Sequence, residues 1–529
     1  MVASSAPTPE TPAEPSEHAC GIDPDGDDVD RSFLERPTRL KKRIGVISQR
    51  VTTSSAEAQA YCDQGLAYLH SYVWLDAARS FHEALRKDPK LAMAWVGLAR
   101  AEMGLFQKRH AREAMAHAKA LRDDAGERER LYIDLRDQQI EGALAFVPEQ
   151  GALHEKYKAA LDRAIALDPS DAEMWVMRGN AEETMIAGRG QRGEIGSIAF
   201  YEAALRRAPN HFGAHHYLVH SYENVKRPAE AIAHGRVYAA AAPDVAHAQH
   251  MLGHVLPKVG KWRDALEQFK KADAIEEEYA RVEQLRPGDD WHHVHNLDLL
   301  GYSHLRLGQI DEAEKTMRRR WRVPLRTPLT YGFRGAWPDF LLWKGRFEDA
   351  LAEANEMAAS PHPSGHVVGF ALAAEALLAL GRVDEAKVAT KRAADALTAA
   401  ARSKTSGARL LVMLYEHHVR RVEAELALAG GDAADGATKL QAITDAYAGA
   451  SHVDAIGEFV LAGAHRGADA ANEEGRARGR HREQDEAPRC RLRGEDGERG
   501  RRPEDGDRAL RAGVTPAGRW QAPSEATQR

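Results

Sequence analysis

Apolar residues recur at the three-to-four-residue spacing of amphipathic helices through most of this 529-residue chain. From Ala56 onwards the helical stretches come in pairs, and each pair ends in a short polar turn. Asp88 and Pro89 close the first pair, because proline cannot continue a helix and disfavours helical geometry in the residue before it. Pro209 and Pro243 close later pairs and lie 34 residues apart. The pattern predicts an all-α chain built from repeated helical pairs.

The repeat is clearest between residues 209 and 313. Small, aromatic and apolar residues stand there at fixed offsets, in one repeat Leu252, Gly253, Gly260, Trp262, Ala265, Phe269 and Ala272. This pattern resembles the tetratricopeptide repeat family, whose unit is two helices in about 34 residues. The resemblance implies a right-handed α-solenoid of stacked hairpins over residues 51–450, with roughly nine hairpins. The resemblance also predicts where the first helix of three successive repeats begins, at Phe212, Ala246 and Val294.

Histidine is concentrated in these three repeats, with twelve of the chain's 25 histidines between residues 209 and 313. In the tetratricopeptide family one stripe of each first helix packs inside the repeat, and the next stripe lines a concave groove where ligands bind. The resemblance places on that groove stripe Gly213, His216, His220, Glu223, His247, His250, His254, Pro257, His295, Asp298 and Tyr302. His215 and His304 fall on the packing stripe, and His234 falls in a second helix, so we expect these three to be structural.

The groove stripe predicts a transition-metal site. Residues four apart are neighbours on a helix, so His216 with His220, and His250 with His254, can each share one ion. The predicted metal ligands are His216, His220, His247, His250, His254 and His295, and the predicted ligand-binding groove comprises Tyr302, His216, His220, His250 and His254. A nitrogen-rich set without thiolates suits zinc, copper or iron better than magnesium or calcium. Two alternatives stay open: structural rings that each make one hydrogen bond, and imidazoles that donate to an acidic ligand.

Two functions follow from these expectations. The resemblance implies a scaffold that binds a protein or peptide in its concave groove, and within the family this chain is similar to histidine-rich bacterial members. The alternative is a metal-dependent enzyme, an oxidoreductase or a hydrolase, in which Glu223 or Asp298 adds a carboxylate or acts as general base. The repeats leave no separate catalytic domain, so any chemistry would occur in the groove. We favour the scaffold over the enzyme.

The composition of the two ends differs from that of the repeats. Residues 1–50 combine an acidic, proline-rich stretch with the basic run 39–43, and residues 451–529 become rich in Arg, Gly and Glu, so we expect both to be disordered. The tail after Gly467 could also reflect a frame error in the coding sequence.

A net charge of -6 and the lack of a long apolar run argue against nucleic-acid and membrane partners. Three distant cysteines fit a reducing compartment. We expect a cytoplasmic monomer, exported only if the true start lies upstream.

Two smaller features carry weaker expectations. Gly188, Gly190 and Gly193 spell a dinucleotide-binding pattern, but they fall between helices, so we predict an ordinary loop. The insertion 278–293 interrupts the array before the third histidine-bearing helix, and we predict a solvated loop with an aspartate N-cap.

Overall fold

The computed structural model describes residues 29–448 except 146, 184–187, 287, 325–329 and 403–405. The regular structure of these residues is helical throughout. The α-helices are α1 (Arg31–Leu34), α2 (Ala56–His70), α3 (Trp74–Lys87), α4 (Ala92–Gly104), α5 (Lys108–Ala120), α6 (Glu127–Leu144), α7 (Val147–Leu167), α8 (Ala172–Asn180), α9 (Ile195–Arg207), α10 (Phe212–Asn224), α11 (Pro228–Ala241), α12 (Ala246–Val255), α13 (Trp262–Glu283), α14 (Trp291–Arg306), α15 (Ile310–Arg322), α16 (Ala336–Trp343), α17 (Phe347–Ala358), α18 (Pro363–Ala379), α19 (Val383–Arg402), α20 (Ser406–Ala429) and α21 (Ala433–Ala448). The predictions for residues 1–28 and 449–529 lie outside the described residues.

Helices α2 to α21 form ten consecutive hairpins within the described residues, and each helix packs against the next. The predicted all-α solenoid is confirmed. The described residues form one hairpin more than the nine predicted, because α6 and α7 form the third hairpin in the stretch where the repeat pattern is weakest. Helices α10 and α12 begin at the predicted residues Phe212 and Ala246, whereas α14 begins at Trp291, ahead of the predicted Val294.

Glycines on the first helices let aromatic rings approach the backbone. A Cβ atom at Gly97 would lie 2.2 Å from the ring of Phe81, and one at Gly65 would lie 2.7 Å from the same ring. Gly253 meets the ring of Phe269 in the same way, at 2.8 Å. Side chains larger than hydrogen would overpack these contacts, which typically costs about 1–3 kcal/mol. The small-to-aromatic spacing in the sequence therefore records hairpin packing.

The segment before α2 differs from the predicted linker. From residue 29 it packs against the solenoid, with Phe33 and Leu34 buried. Arg36 donates to the backbone carbonyl of Glu283 at 2.6 Å, and the amide of Asp244 donates to the carbonyl of Arg43 at 3.1 Å. The apolar pair in α1 and these backbone contacts order a stretch whose basic composition suggested a solvated chain.

The N-terminal segment joins the first hairpin to repeats far along the sequence. Glu283, at the end of α13, pairs with Arg79 of α3 at 2.9 Å and with Lys41 at 3.1 Å. The end of α2 then meets α10, where the carbonyl of His70 lies 2.6 Å from Nδ1 of His216. The first hairpin thus covers the groove stripe of α10.

The insertion before α14 is largely helical. Residues up to Glu283 extend α13, and only a short connection remains before α14. Asp290 is the N-cap of α14, and its side chain accepts from the amide of His292 at 3.0 Å, as predicted. In the described part of the chain, no helix is both long and apolar enough to cross a bilayer.

Candidate metal centre

Three histidines from two neighbouring helices converge beneath the first hairpin. His216 and His220 lie one turn apart on α10, and His247 lies in the first turn of α12. Nε2 of His216 is 3.2 Å from Nε2 of His220 and 3.0 Å from Nε2 of His247. Nitrogens bound tetrahedrally to zinc at 2.0–2.1 Å would be separated by about 3.3 Å. This first triad therefore needs little rearrangement to hold one ion.

The backbone of α2 fixes the tautomer of His216. A carbonyl oxygen can only accept, so the 2.6 Å contact with the carbonyl of His70 requires a proton on Nδ1 of His216. Nε2 then carries the lone pair, and this arrangement is typical of histidines that bind metals. Burial lowers the pKa of His216 to about 3, so the ring is neutral at physiological pH. Burial also lowers the pKa of His247 well below its usual value, reinforced by the nearby ring of His292.

A second triad comprises His250, His254 and His295, each of which offers a nitrogen within 4.8 Å of the others. Asn296 fixes the tautomer of His250. The amide nitrogen of Asn296 donates to the carbonyl of Phe269 at 3.0 Å, which turns its oxygen towards Nδ1 of His250 at 3.1 Å. Nδ1 of His250 must therefore carry the proton, so Nε2 of His250 holds the lone pair. Burial lowers the pKa of His250, and the rings of His295 and His254 lower it further.

Glu223 supports a ligand of the second triad. Its Oε1 lies 2.8 Å from Nδ1 of His254, the arrangement in which a carboxylate holds a metal-binding histidine by its second nitrogen. Glu223 is buried, and Lys258 approaches the same oxygen at 3.9 Å. Its position therefore fits a residue that orients His254, whereas the sequence suggested a ligand or general base.

Two residues predicted for the groove are placed elsewhere. Both carboxylate oxygens of Asp298 accept from the guanidinium of Arg320, at 2.6 and 3.2 Å, and both side chains are buried. Asp298 therefore neutralises a buried arginine, and its predicted role at the site stays a prediction. Tyr302 is buried, with its ring edge-on to Trp262 at 5.6 Å, so it belongs to the core rather than to an open groove.

All six predicted histidine ligands therefore fall into the two triads. They are joined by α12, where the rings of His247 and His250 lie 5.8 Å apart and nearly parallel. Reasoning from the sequence missed the residues that hold them. Asn296 directly follows His295 in α14, but it contacts His250 of another repeat. The carbonyl of His70 belongs to α2, and His70 precedes His216 by 146 residues. A register argument within one repeat cannot find such long-range contacts.

A third group of buried side chains brings together His70, Glu173 and His211. Oε2 of Glu173 lies 3.1 Å from Nε2 of His70 and 3.4 Å from Nε2 of His211. Burial would raise the pKa of Glu173, but His70 and His211 outweigh it and hold the pKa well below its usual value. The amide of Ala214 donates to Nδ1 of His211 at 3.1 Å, so the Nε2 that faces Glu173 carries a proton. In this carboxylate group the two oxygens of Glu173 and Nε2 of His70 are buried without a partner at hydrogen-bond geometry among the described residues.

The loop with the glycine pattern packs beside the site and shows no nucleotide-binding form. Gly190 has φ +88°, and a Cβ there would lie 2.3 Å from the ring of Tyr217. The carbonyl of Arg189 accepts from the hydroxyl of Tyr72 at 2.6 Å. The glycines therefore serve close packing between helices.

Comparison with known proteins leaves the function to be argued from these residues. No family model matches the chain, and no curated protein matches it. Solved structures with similar helices include yeast Tom70, at 11% identity over 82% of this chain and 93% of that one, with a TM-score of 0.36. MamA from Desulfovibrio magneticus RS-1 is 18% identical over 37% of this chain and 94% of its own, with a TM-score of 0.29. PilW, a type IV pilus biogenesis factor, is 18% identical over 50% of this chain and 93% of its own, with a TM-score of 0.26.

Proposed function

We propose that this protein is a helical-repeat scaffold that binds transition-metal ions at the two histidine triads. The observation that carries the proposal is the set of fixed tautomers. A backbone carbonyl, an amide oxygen and a carboxylate each hold Nδ1 of one histidine, so the Nε2 atoms of His216, His250 and His254 are left with lone pairs. In the second triad two such lone pairs lie within 4.8 Å of each other and repel unless a proton or a cation lies between them, and in the first triad the lone pair of His216 faces Nε2 of His220 at 3.2 Å and Nε2 of His247 at 3.0 Å.

The burial of the triads favours an ion over a peptide in this part of the groove. His216 is fully buried, and His247 and His250 are each 4% exposed. A peptide that binds a tetratricopeptide groove needs side chains that it can reach, whereas an ion needs only a few donor atoms. The protein or peptide partner predicted from the family resemblance stays a proposal, and we place it away from the triads.

Three imidazole nitrogens per site favour zinc, copper or iron. Affinity for such sites rises along the first transition series to copper(II), so copper(II) is the tightest-binding candidate and zinc the commonest one. Assignment to a histidine-rich bacterial subgroup and a cytoplasmic location remain proposals, as does monomeric assembly. An enzymatic role would need a coordination position open to substrate.

The test is elemental analysis of the protein purified without an affinity tag. We expect two transition-metal ions per chain, and none in a variant with His216, His220, His250 and His254 all changed to alanine. Circular dichroism checks that the variant keeps its helices. A matched control replaces His215 and His234, which contact each other at 2.8 Å outside the triads, and should keep both ions. Metal-free wild-type protein that also fails to take up added zinc or copper would overturn the proposal.

A further inference from the structure

One hairpin turn carries a buried tyrosine in an unfavourable backbone conformation. In five hairpins the residue two places before the second helix is a glycine with φ between 73° and 86°, namely Gly260, Gly308, Gly345, Gly381 and Gly431. The α2–α3 turn has Tyr72 there, with φ 56°. The left-handed conformation is unfavourable for a residue with a side chain. Phe106 and Lys226 occupy the same position in other hairpins, but both are exposed to solvent, whereas Tyr72 is 1% exposed.

The ring of Tyr72 lies against all three ligands of the first triad. Its centroid is 4.6 Å from that of His216, 5.2 Å from that of His247 and 6.0 Å from that of His220. Its hydroxyl donates to the carbonyl of Arg189, which anchors the ring at its far end. Strained residues that the surroundings hold in place often mark functional positions. The geometry explains the strain: only this turn places a ring over the triad.

Other rings complete the enclosure of the first triad. Tyr238 stacks on His216 at 4.7 Å, and His292 stacks on His247 at 4.4 Å. Together with Tyr72 they cover His216 and His247, so that His220 is the one partly exposed ligand of this triad.

The second triad is more open. His254 has 16% of its side chain exposed, and His295 is also partly exposed. Phe269 lies 5.6 Å from His250, and Trp291 lies 6.5 Å from His295. Trp291 is itself 39% exposed, so it borders an entrance from solvent. Lys258 lies beside Glu223 at this end and contributes a positive charge.

We propose that the two sites have different roles: Tyr72 closes the first triad around a structural ion, and the second triad keeps a coordination position for a small anion from solvent. This inference rests on the proposed metal binding. Metal sites follow this division in general, because structural sites are fully enclosed and sites that bind substrate retain an open position. The ligand class is a small anionic donor, such as hydroxide, azide or a compact carboxylate.

The experiment uses the full chain loaded with copper(II), with azide as the probe. Azide bound directly to copper(II) produces a charge-transfer absorption band that bound copper alone lacks. His216→Ala leaves the second triad intact, and we expect it to keep the band of the wild type. His250→Ala leaves the first triad intact, and we expect it to bind one copper ion and lose the band. A band of equal strength in both single-site variants, or only in His250→Ala, would overturn the inference.

Tyr72 is tested in the His250→Ala background, where only the first triad can bind copper. Tyr72→Gly removes the ring and relieves the backbone strain, so azide should gain access and the band should appear. Tyr72→Phe keeps the ring and should show no band. Phe106→Gly is the matched control, because it makes the same exchange at an exposed turn and should change nothing. If Tyr72→Gly does not fold, the band in the two single-site variants still decides the question.

The two proposals fail in distinguishable ways. Wild-type protein that binds no copper contradicts the proposed function itself. Two bound copper ions that both take azide, or that both exclude it, contradict only the difference between the sites.

Discussion

The two histidine triads and the carboxylate group are similar in the spacing of their polar atoms, yet they differ in where the protons lie. In the triads, the carbonyl of His70 accepts the Nδ1 proton of His216 and the side-chain oxygen of Asn296 accepts that of His250, so the Nε2 lone pairs of these two rings face inwards. In the carboxylate group a backbone amide donates to Nδ1 of His211, so a proton faces inwards, towards Glu173.

The surrounding charges differ as well. Arg136 and Arg100 approach Oε1 of Glu173 at 3.6 and 3.9 Å, so that carboxylate already has cationic neighbours. Burial lowers the pKa of Arg100 to about 10, and the neighbouring charge of Arg136 adds to this effect. A metal ion there would be repelled by two guanidinium groups. On the proposal made above, the partner of the outer nitrogen, and not proximity alone, separates the triads from the carboxylate group as metal ligands.

The largest expected effect breaks the carboxylate group. Glu173→Ala leaves two buried arginines without their shared carboxylate, and removal of one partner from a buried ion pair typically costs about 3–5 kcal/mol of unfolding free energy. Urea denaturation measures this loss, and elemental analysis should still find two metal ions per chain in the folded variant. Loss of metal with unchanged stability would contradict this account, because it would make the carboxylate group a metal site and not a structural one.

Metal removal tests the triads by their effect on stability. A ligand that binds only the folded chain adds about 2.7 kcal/mol per site when its free concentration is 100 times Kd. We therefore expect a chelator to lower the unfolding free energy of the wild type measured with added zinc. The His216→Ala/His250→Ala double variant should show no response to chelator. A response that survives in the double variant would place the ions elsewhere.

A smaller effect is expected from the residues that hold the ligands. Asn296→Ala and Glu223→Ala each remove an acceptor from an Nδ1 proton of the second triad, and such changes typically weaken metal binding about 10–100-fold. Competition with a chromophoric chelator measures the affinity of each site. Asp298→Asn, in the same helix as His295 but paired with Arg320, serves as the control and should leave both affinities unchanged. Equal losses at both triads would show that Asn296 acts through the fold in general.

The helical solenoid and the position of the six histidines on one stripe could be predicted from the sequence, because both follow from the register of the 34-residue repeat. Small residues such as Gly253 and aromatic ones such as Phe269 fix the hairpin register, and the register places His216 and His250 on the same stripe. Asp298 follows the same count, yet it pairs with Arg320, because a buried guanidinium from the second helix of its own hairpin competes for the carboxylate.

The remaining features depend on contacts between distant repeats. Tyr72 and the carbonyl of His70 reach the first triad only because the first hairpin packs against α10, and that packing uses the N-terminal segment that composition alone marked as a linker. His70 itself could be placed on a helix, but its partner Glu173 could not be found from local spacing. Long-range closure of a repeat array leaves no periodic signal in the sequence.

The most direct test of the central claim is a crystal structure of the metal-loaded protein with anomalous diffraction measured at the absorption edge of the ion. We predict two anomalous peaks, one within about 2.0–2.1 Å of nitrogens of His216, His220 and His247, and the other at the same distance from those of His250, His254 and His295. No peak should appear beside Glu173. A peak between His70 and His211, or triads without a peak in fully loaded crystals, would contradict the account.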